Sequence, residues 1–248
     1  MEICNSNILI TGGARGIGNF LALHLLKKAN KVFVIDSNIE LLNDLPISDK
    51  LVSFVCNITI PEELEIVIRQ IFELHGGVDI CINNAGIIHS EPLINLLDRT
   101  DRRHSIINWQ KVIDVNLSAV FYVTMNVADQ MIFKKRKGVI INISSISAQG
   151  NVGQSAYSAS KAGVEALTKT WSKELAMFGI RSACIAPGFF DTPSTKEKVN
   201  THMLEKWEKS IPLKRLGNLD ELLTSVEFII ANDYFNGKIL SIDGGLNL

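Results

Sequence analysis

Short apolar runs alternate with longer stretches of helical periodicity from one end of the chain to the other. Asn7–Thr11, Lys31–Asp36, Leu51–Cys56, Val78–Ile82, Gly138–Ser144, Ile180–Ala186 and Lys238–Ile242 read as buried strands, mostly rich in Ile and Val. Between them apolar residues recur three and four apart. Ile17, Phe20, Leu21, Leu25 and Leu26 predict a helix over Gly16–Ala29, and Pro61 suits the first turn of another that runs to about His75. Further helices are expected from about Asn108 to Phe133 and from Ser155 to about Phe178. Strands separated by helices pair in parallel through right-handed crossovers, so the predicted fold is α/β, a doubly wound parallel sheet of seven strands. No linker, repeat or low-complexity tract divides the chain, and residues 1–248 are read as a single domain.

Composition narrows the function classes. A chain of 248 residues suits one domain of this kind. Its 46% hydrophobic content suits strands covered on both faces, or a subunit interface. A net charge of −1 argues against nucleic acid or an anionic membrane as partner. Cys4, Cys56, Cys81 and Cys184 lie far apart without a CxxC pair, and the five histidines lack ligand spacing. Reduced thiols in a cytoplasmic setting are therefore expected, with neither a disulfide frame nor a metal site. No run of eighteen apolar residues occurs, and neither a membrane span nor a secretory signal is expected.

TGGARGIG, residues 11–18, joins the first strand to the first helix. Gly12, Gly16 and Gly18 stand where a tight turn, a close approach to a pyrophosphate and close helix packing are needed, although their spacing is GxxxGxG. Asp36 ends the second strand, where a carboxylate can accept bonds from adenosine ribose hydroxyls. A 2′-phosphate there would meet like charge, so NAD is favoured over NADP; Arg15 is the counter-signal. Asn57 and Ile58 at the end of the third strand, and NNAG at 83–86 at the end of the fourth, fall on the carboxyl edge where such folds bind ligands. Asn116 interrupts an otherwise good helix and faces water or holds a buried solvent molecule.

Tyr157 and Lys161, four apart on a predicted helix, share one face. A neighbouring ammonium stabilises a phenolate and would lower the phenol pKa from its ordinary value of about 10. Ser144, thirteen positions before the tyrosine, is placed to reach the same pocket.

With these motifs in order, followed by PGFFDT at 187–192 and SIDGG at 241–245, the chain resembles the short-chain dehydrogenase/reductase family over nearly its whole length. The resemblance implies a single Rossmann-type domain and metal-free hydride transfer between a nicotinamide and a carbonyl or alcohol carbon. It implies Tyr157 as the proton donor and acceptor, and Ser144 as the hydroxyl on the reacting oxygen. Ser145 competes for that role, and Ser144 is preferred for the family's usual gap of thirteen. Lys161 would tune the phenol and bind the nicotinamide ribose, while Asn116 would hold a relay water. The cofactor contacts implied are Gly12, Arg15, Gly16, Ile17, Gly18, Asp36, Asn57, Ile58, Asn84, Ala85, Gly86, Tyr157, Lys161, Pro187, Gly188 and Thr192. The family often has Asp where Asn57 stands, and an amide oxygen can still accept that adenine bond.

The stretch at 150–161 with PGFFDT is similar to the 3-hydroxyacyl-CoA dehydrogenases, and the layout also resembles the 3-oxoacyl-carrier-protein reductases. Both imply a 3-oxoacyl thioester, on coenzyme A or acyl carrier protein. A sugar, polyol or steroid substrate is the alternative, and a non-catalytic NAD-binding sensor or assembly protein is the rival from another class. Phe189, Phe190 and residues 193–210 are expected to cover the substrate. The basic turn at Lys134–Lys137 has two readings, a solvated turn, which is preferred, and a site that attracts an acidic carrier or a coenzyme A phosphate. Small residues at Ala156, Ala159, Ala162, Gly163 and Ala166 permit close helix approach, consistent with a homodimer or homotetramer. The charged loop at 87–107 is longer than the family pattern explains.

Overall fold

A computed structural model describes residues 1–97, 100–192 and 201–246. Among them, seven strands form one parallel sheet: β1 (Asn7–Thr11), β2 (Lys31–Asp36), β3 (Leu51–Val55), β4 (Ile80–Asn83), β5 (Gly138–Ile143), β6 (Ile180–Pro187) and β7 (Ile239–Ile242). Their spatial order is β3-β2-β1-β4-β5-β6-β7, so the direction of travel reverses between β1 and β4. Ligands bind beyond the carboxyl ends of the strands at such a reversal.

Side chains of β1 explain the layering. All five of its residues are buried, with Ile8 and Ile10 in one apolar cluster and Leu9 in the other, as a two-residue period requires. The first cluster packs under α1 (Gly16–Leu26) and, near the carboxyl end of the chain, Leu219–Ala231. The second packs under α3 (Pro61–Leu74) and the helix Ala119–Phe133. In chain order the helices are α1, α2 (Ile39–Asn43), α3, α4 (Ile106–Ile113), α5 (Ala119–Phe133), α6 (Ser155–Glu174), α7 (Thr201–Ser210) and α8 (Leu219–Ala231).

A polar ladder crosses this apolar interior. Asn83 and Asn142 are register partners on β4 and β5, and Asn83 Nδ2 donates to Asn142 Oδ1 at 2.8 Å. Asn83 also donates to Thr124 on α5, and Asn142 to Thr168 on α6, at 3.0 and 2.9 Å.

The single helix expected from Asn108 to Phe133 is two, α4 and α5, joined by a π-helical turn at Asp114–Ser118. Asn116 sits inside that turn, fully buried. The helix expected to reach Phe178 stops at Glu174, and a 3-10 turn at Ala176–Phe178 leads to Gly179 with φ +73°. The α8 helix has a capping box, Asn218 with Glu221. Among the described residues no helix is long and apolar enough to cross a membrane.

Candidate active site

The glycine-rich turn and the NNAG segment are one unit at the reversal point. Asn84 Nδ2 donates to the carbonyls of Thr11 and Gly12 at 3.0 and 3.1 Å, and Thr11 Oγ1 accepts from the Asn84 and Ala85 amides. A Cβ on Gly12 would fall 2.8 Å from Ala85 Cα, and one on Gly18 would fall 2.2 Å from the Gly12 carbonyl. Neither position has room for a side chain. Gly16 differs: its φ is +57° and a Cβ there would meet nothing within 4 Å.

That open space lies before α1, which begins without a capping side chain or an acidic residue in its first turn. Its leading amides are free for an anion. Ile17 packs on the first apolar cluster, and Arg15 is exposed. Asp36 accepts from the Ala14 amide at 3.2 Å and from the Asn38 amide at 3.1 Å, which fixes its carboxylate beside the turn. These residues fit a dinucleotide: amides for the pyrophosphate and a carboxylate for ribose hydroxyls.

Asn57 and Ile58 lie just past β3. The Asn57 Oδ1 expected to meet adenine accepts from the Thr59 amide at 3.1 Å and its hydroxyl at 2.8 Å, a local turn that Asn forms readily. Ile58 is buried in the second apolar cluster.

Tyr157 lies one turn into α6, buried beside Ala156, Val112 and Ile87. Ser145 is the side chain that acts on the Tyr157 hydroxyl, lowering the phenol pKa against burial, in the place expected of Ser144, whose own hydroxyl is engaged elsewhere. The cause is strand alternation. Ser144 follows Asn142 by two residues and faces α6 with it, where Ser144 Oγ donates to the Lys161 carbonyl and Glu165 Oε1 at 3.2 and 3.0 Å. Ser145 caps the 3-10 turn Ile146–Gln149, and its Oγ accepts from the Ser147 amide at 3.1 Å.

Lys161 is buried, with Nζ donating to the Ile143 carbonyl at 2.7 Å and lying 5.8 Å from the centre of the Tyr157 ring. Burial pulls its pKa down to about 8. Burial also raises the Tyr157 pKa, opposed by the Ser145 hydrogen bond. The expected lowering of the phenol is therefore reversed: desolvation of the phenolate outweighs the other effects. At neutral pH the phenol keeps its proton.

Asn116 has both ends of its amide on one backbone unit. Its Oδ1 accepts from the Ile87 amide and its Nδ2 donates to the Ile87 carbonyl, each at 2.8 Å. The side chain thus clamps the strip after NNAG. Gly86 lets that clamp close, since a Cβ there would lie 3.2 Å from Asn116 Oδ1 and 3.7 Å from Lys161 Nζ.

Pro187 ends β6, and Gly188 follows with its amide on the Ile242 carbonyl at 2.8 Å. A Cβ on Gly188 would strike Asp243. Thr192 is buried beyond them, and Phe190 packs into the first apolar cluster. Of the expected cover, residues 193–200 lie outside the described residues, and α7 follows. Trp207 of α7 stacks on Phe189, ring centres 4.3 Å apart and planes 3° from parallel. The spacing of PGFFDT offered no sign of this partner.

In the basic turn, Arg136 is engaged with Asp79 at 2.6 Å and with the Gly76 carbonyl. Among the described residues no group of three His, Cys, Asp or Glu side chains is placed to hold a metal. Cys56, Cys81 and Cys184 are buried free thiols, and Cys4 is exposed.

Residues 6–203 match the family model for short chain dehydrogenase. The 3-oxoacyl-(acyl-carrier-protein) reductase FabG of Thermotoga maritima is 37% identical over 246 residues, 96% of each chain. The protein of the same name from Vibrio cholerae is 33% identical over 244 residues, again 96% of each. Among solved structures, a putative gluconate dehydrogenase from Agrobacterium tumefaciens superposes with a TM-score of 0.89 at 27% identity, covering 99% of this chain and 97% of that one. The aldohexose dehydrogenase of Thermoplasma acidophilum gives 0.84 at 26% identity, covering 98% and 94%. The chain belongs to the short-chain dehydrogenase family and is a nicotinamide-dependent oxidoreductase acting at CH–OH carbons.

Proposed function

We propose that the chain reduces a 3-oxoacyl thioester to the 3-hydroxyacyl thioester, with Tyr157 as proton donor and Ser145 as the hydroxyl holding the reacting oxygen. The observation that carries the assignment is the buried Tyr157 with Lys161 Nζ 5.8 Å from its ring centre and the Ser145 side chain acting on its hydroxyl. A bound nicotinamide dinucleotide supplies the hydride in reduction and accepts it in oxidation. Tyr157 gives its phenolic proton to the oxygen that gains charge. Ser145, whose own lone pair is held by the Ser147 amide, donates to the same oxygen. The Lys161 ammonium offsets the charge left on the phenolate and is placed to bind the ribose. A phenol that keeps its proton at neutral pH suits the reductive direction.

NAD is the cofactor favoured, because the Asp36 carboxylate beside the turn would repel a 2′-phosphate. The names of the relatives at 33–37% identity support the thioester, and the apolar Phe189–Trp207 pair supports an acyl chain near it. Coenzyme A or an acyl carrier protein would carry that chain. The second reading, a sugar substrate, rests on the fold neighbours named for gluconate and aldohexose. Buried free thiols agree with a reducing, cytoplasmic setting.

A homodimer or homotetramer is proposed from an apolar groove along α5 and α6, lined by Leu117, Phe121, Tyr122, Gly163 and Leu167. Steady-state assays with acetoacetyl-CoA and NADH test the substrate. Turnover at rates well above those with glucose or gluconate is expected; good activity on sugars and none on the thioester would sink it.

A further inference from the structure

Among the described residues of the unexplained segment at 87–107, residues 93–95 lie beside residues 102–104. Ile94 pairs antiparallel with Arg103, the Asn95 amide donates to the Arg102 carbonyl at 2.6 Å, and the His104 amide donates to the Leu93 carbonyl at 3.0 Å. One side chain gathers several donors. The Glu91 carboxylate accepts from His89 Nε2 at 2.8 Å, from the Ser105 amide at 2.8 Å and from Asn108 Nδ2 at 3.1 Å. His104 Nδ1 donates to the Glu91 carbonyl at 3.1 Å. Ser105 is the N-cap of α4, so the carboxylate joins the strip that contains Glu91 to the start of that helix.

The backbone of Glu91 makes the second connection. Its amide donates to the Gly153 carbonyl at 2.6 Å, and Glu91 pairs in parallel with Gln154. Gln154 also donates to Ser90 Oγ at 3.2 Å, and its carbonyl accepts from the Ser158 amide at 2.7 Å as α6 begins. Three residues after Gln154 comes Tyr157. The strip 87–91 is thus fixed at one end by Asn116 on Ile87 and at the other by Glu91 on the entry to α6. The Tyr157 side chain packs with Ile87, at the first of those two points.

We propose that Glu91 is a positioning residue: through its carboxylate clamp and its bond to Gly153 it sets where the first turn of α6, and with it Tyr157, stands against the bound ketone. A charged acceptor with three donors, one of them a backbone amide, is a stiff joint. Displacements of about 1 Å at a proton donor cost up to about 100-fold in rate. Glu91 touches neither substrate nor cofactor on this account. The proposal rests on Tyr157 being the proton donor.

Glu91→Ala is expected to lower kcat at least 10-fold while leaving NADH affinity within twofold and Tm within a few degrees. Glu91→Gln, which keeps one acceptor oxygen for the Ser105 amide and loses the one that Asn108 and His89 share, is expected to recover kcat only in part, to a value between Glu91→Ala and the native enzyme. Wild-type kcat in Glu91→Ala, or a kcat loss matched by equal loss of NADH binding, overturns the proposal. Should Glu91→Ala not fold, His89→Ala leaves the other two donors in place and reads the same quantity: a 3–5-fold fall in kcat supports the clamp, and an unchanged kcat refutes it. Tyr157→Phe, run alongside on the same ketone, separates the two ideas. Retained turnover there defeats the assignment of Tyr157 itself, whereas a dead Tyr157→Phe with a fully active Glu91→Ala defeats only the clamp.

Discussion

Ser145 acts on Tyr157 in the first turn of α6, and Ser144, one residue earlier, donates two turns further along the same helix, to Glu165. The two adjacent serines have different partners, so they serve different ends. Substituting each alone distinguishes them. Ser145→Ala is expected to lower kcat about 100-fold, in the range for loss of one donor at a developing oxyanion, with Tm little changed. Ser144→Ala is expected to leave kcat within a few-fold and lower stability by about 1 kcal/mol, seen by urea titration. The reverse pattern would return the role to Ser144.

Lys161 should be a liability to the folded chain without cofactor. An unfolded lysine releases its proton near 10.5, and burial brings Lys161 down to about 8. Between those values the unfolded chain binds more protons, so this group makes stability rise with pH from about 8 to about 10.5. Below about 8 the buried ammonium costs about 3 kcal/mol. Lys161→Met is expected to raise Tm at pH 7 by several degrees while removing activity; thermal scans and NADH oxidation rates read the two effects. A lower Tm in the variant would contradict the sign.

The same two groups set the rate profile. Tyr157 keeps its proton above the ordinary phenol range, whereas Lys161 loses its charge through about 8. Reductive kcat is expected to hold steady from pH 6 to about 8 and then fall on the lysine limb. A fall beginning near pH 10 instead would place Lys161 in a less buried state during turnover.

Asp36 tests the cofactor choice. With its carboxylate removed, Asp36→Ala is expected to shift the ratio of kcat/KM for NADH over NADPH by about 10-fold toward NADPH. No change in that ratio would show that the carboxylate does not read the ribose.

Phe121 lines the groove along α5 and α6 and is 42% exposed. Phe121→Glu is expected to leave a monomer by light scattering, since an unpaired carboxylate in an apolar contact is costly. A native enzyme already monomeric at assay concentration would remove the interface proposal.

The strands and the glycine-rich turn were legible in the sequence because their signals are local: period-two burial, and glycines where a Cβ has no room, as at Gly12 and Gly18. Tyr157 and Lys161 were equally legible, being four apart on one helix. The serine was not, because counting thirteen positions back from a tyrosine ignores the alternation that sends Ser144 toward α6 with Asn142. That parity was available in the sequence. So was the Asn218–Glu221 spacing that announces α8. The reversal of the Tyr157 shift depends on burial and on where Lys161 Nζ goes, and neither has a local signature. The partner of Phe189 lies eighteen positions on, at Trp207, beyond the reach of any short pattern.

The ladder Thr124–Asn83–Asn142–Thr168 acts as an alignment check during folding. A parallel sheet built from near-identical aliphatic runs could slide by one residue at little loss of greasy contact, yet any slip of β5 past β4 would strand these amides and hydroxyls without acceptors. Because the ladder sits at the strand ends nearest Tyr157, mis-threaded chains are rejected at the level where the chemistry is assembled.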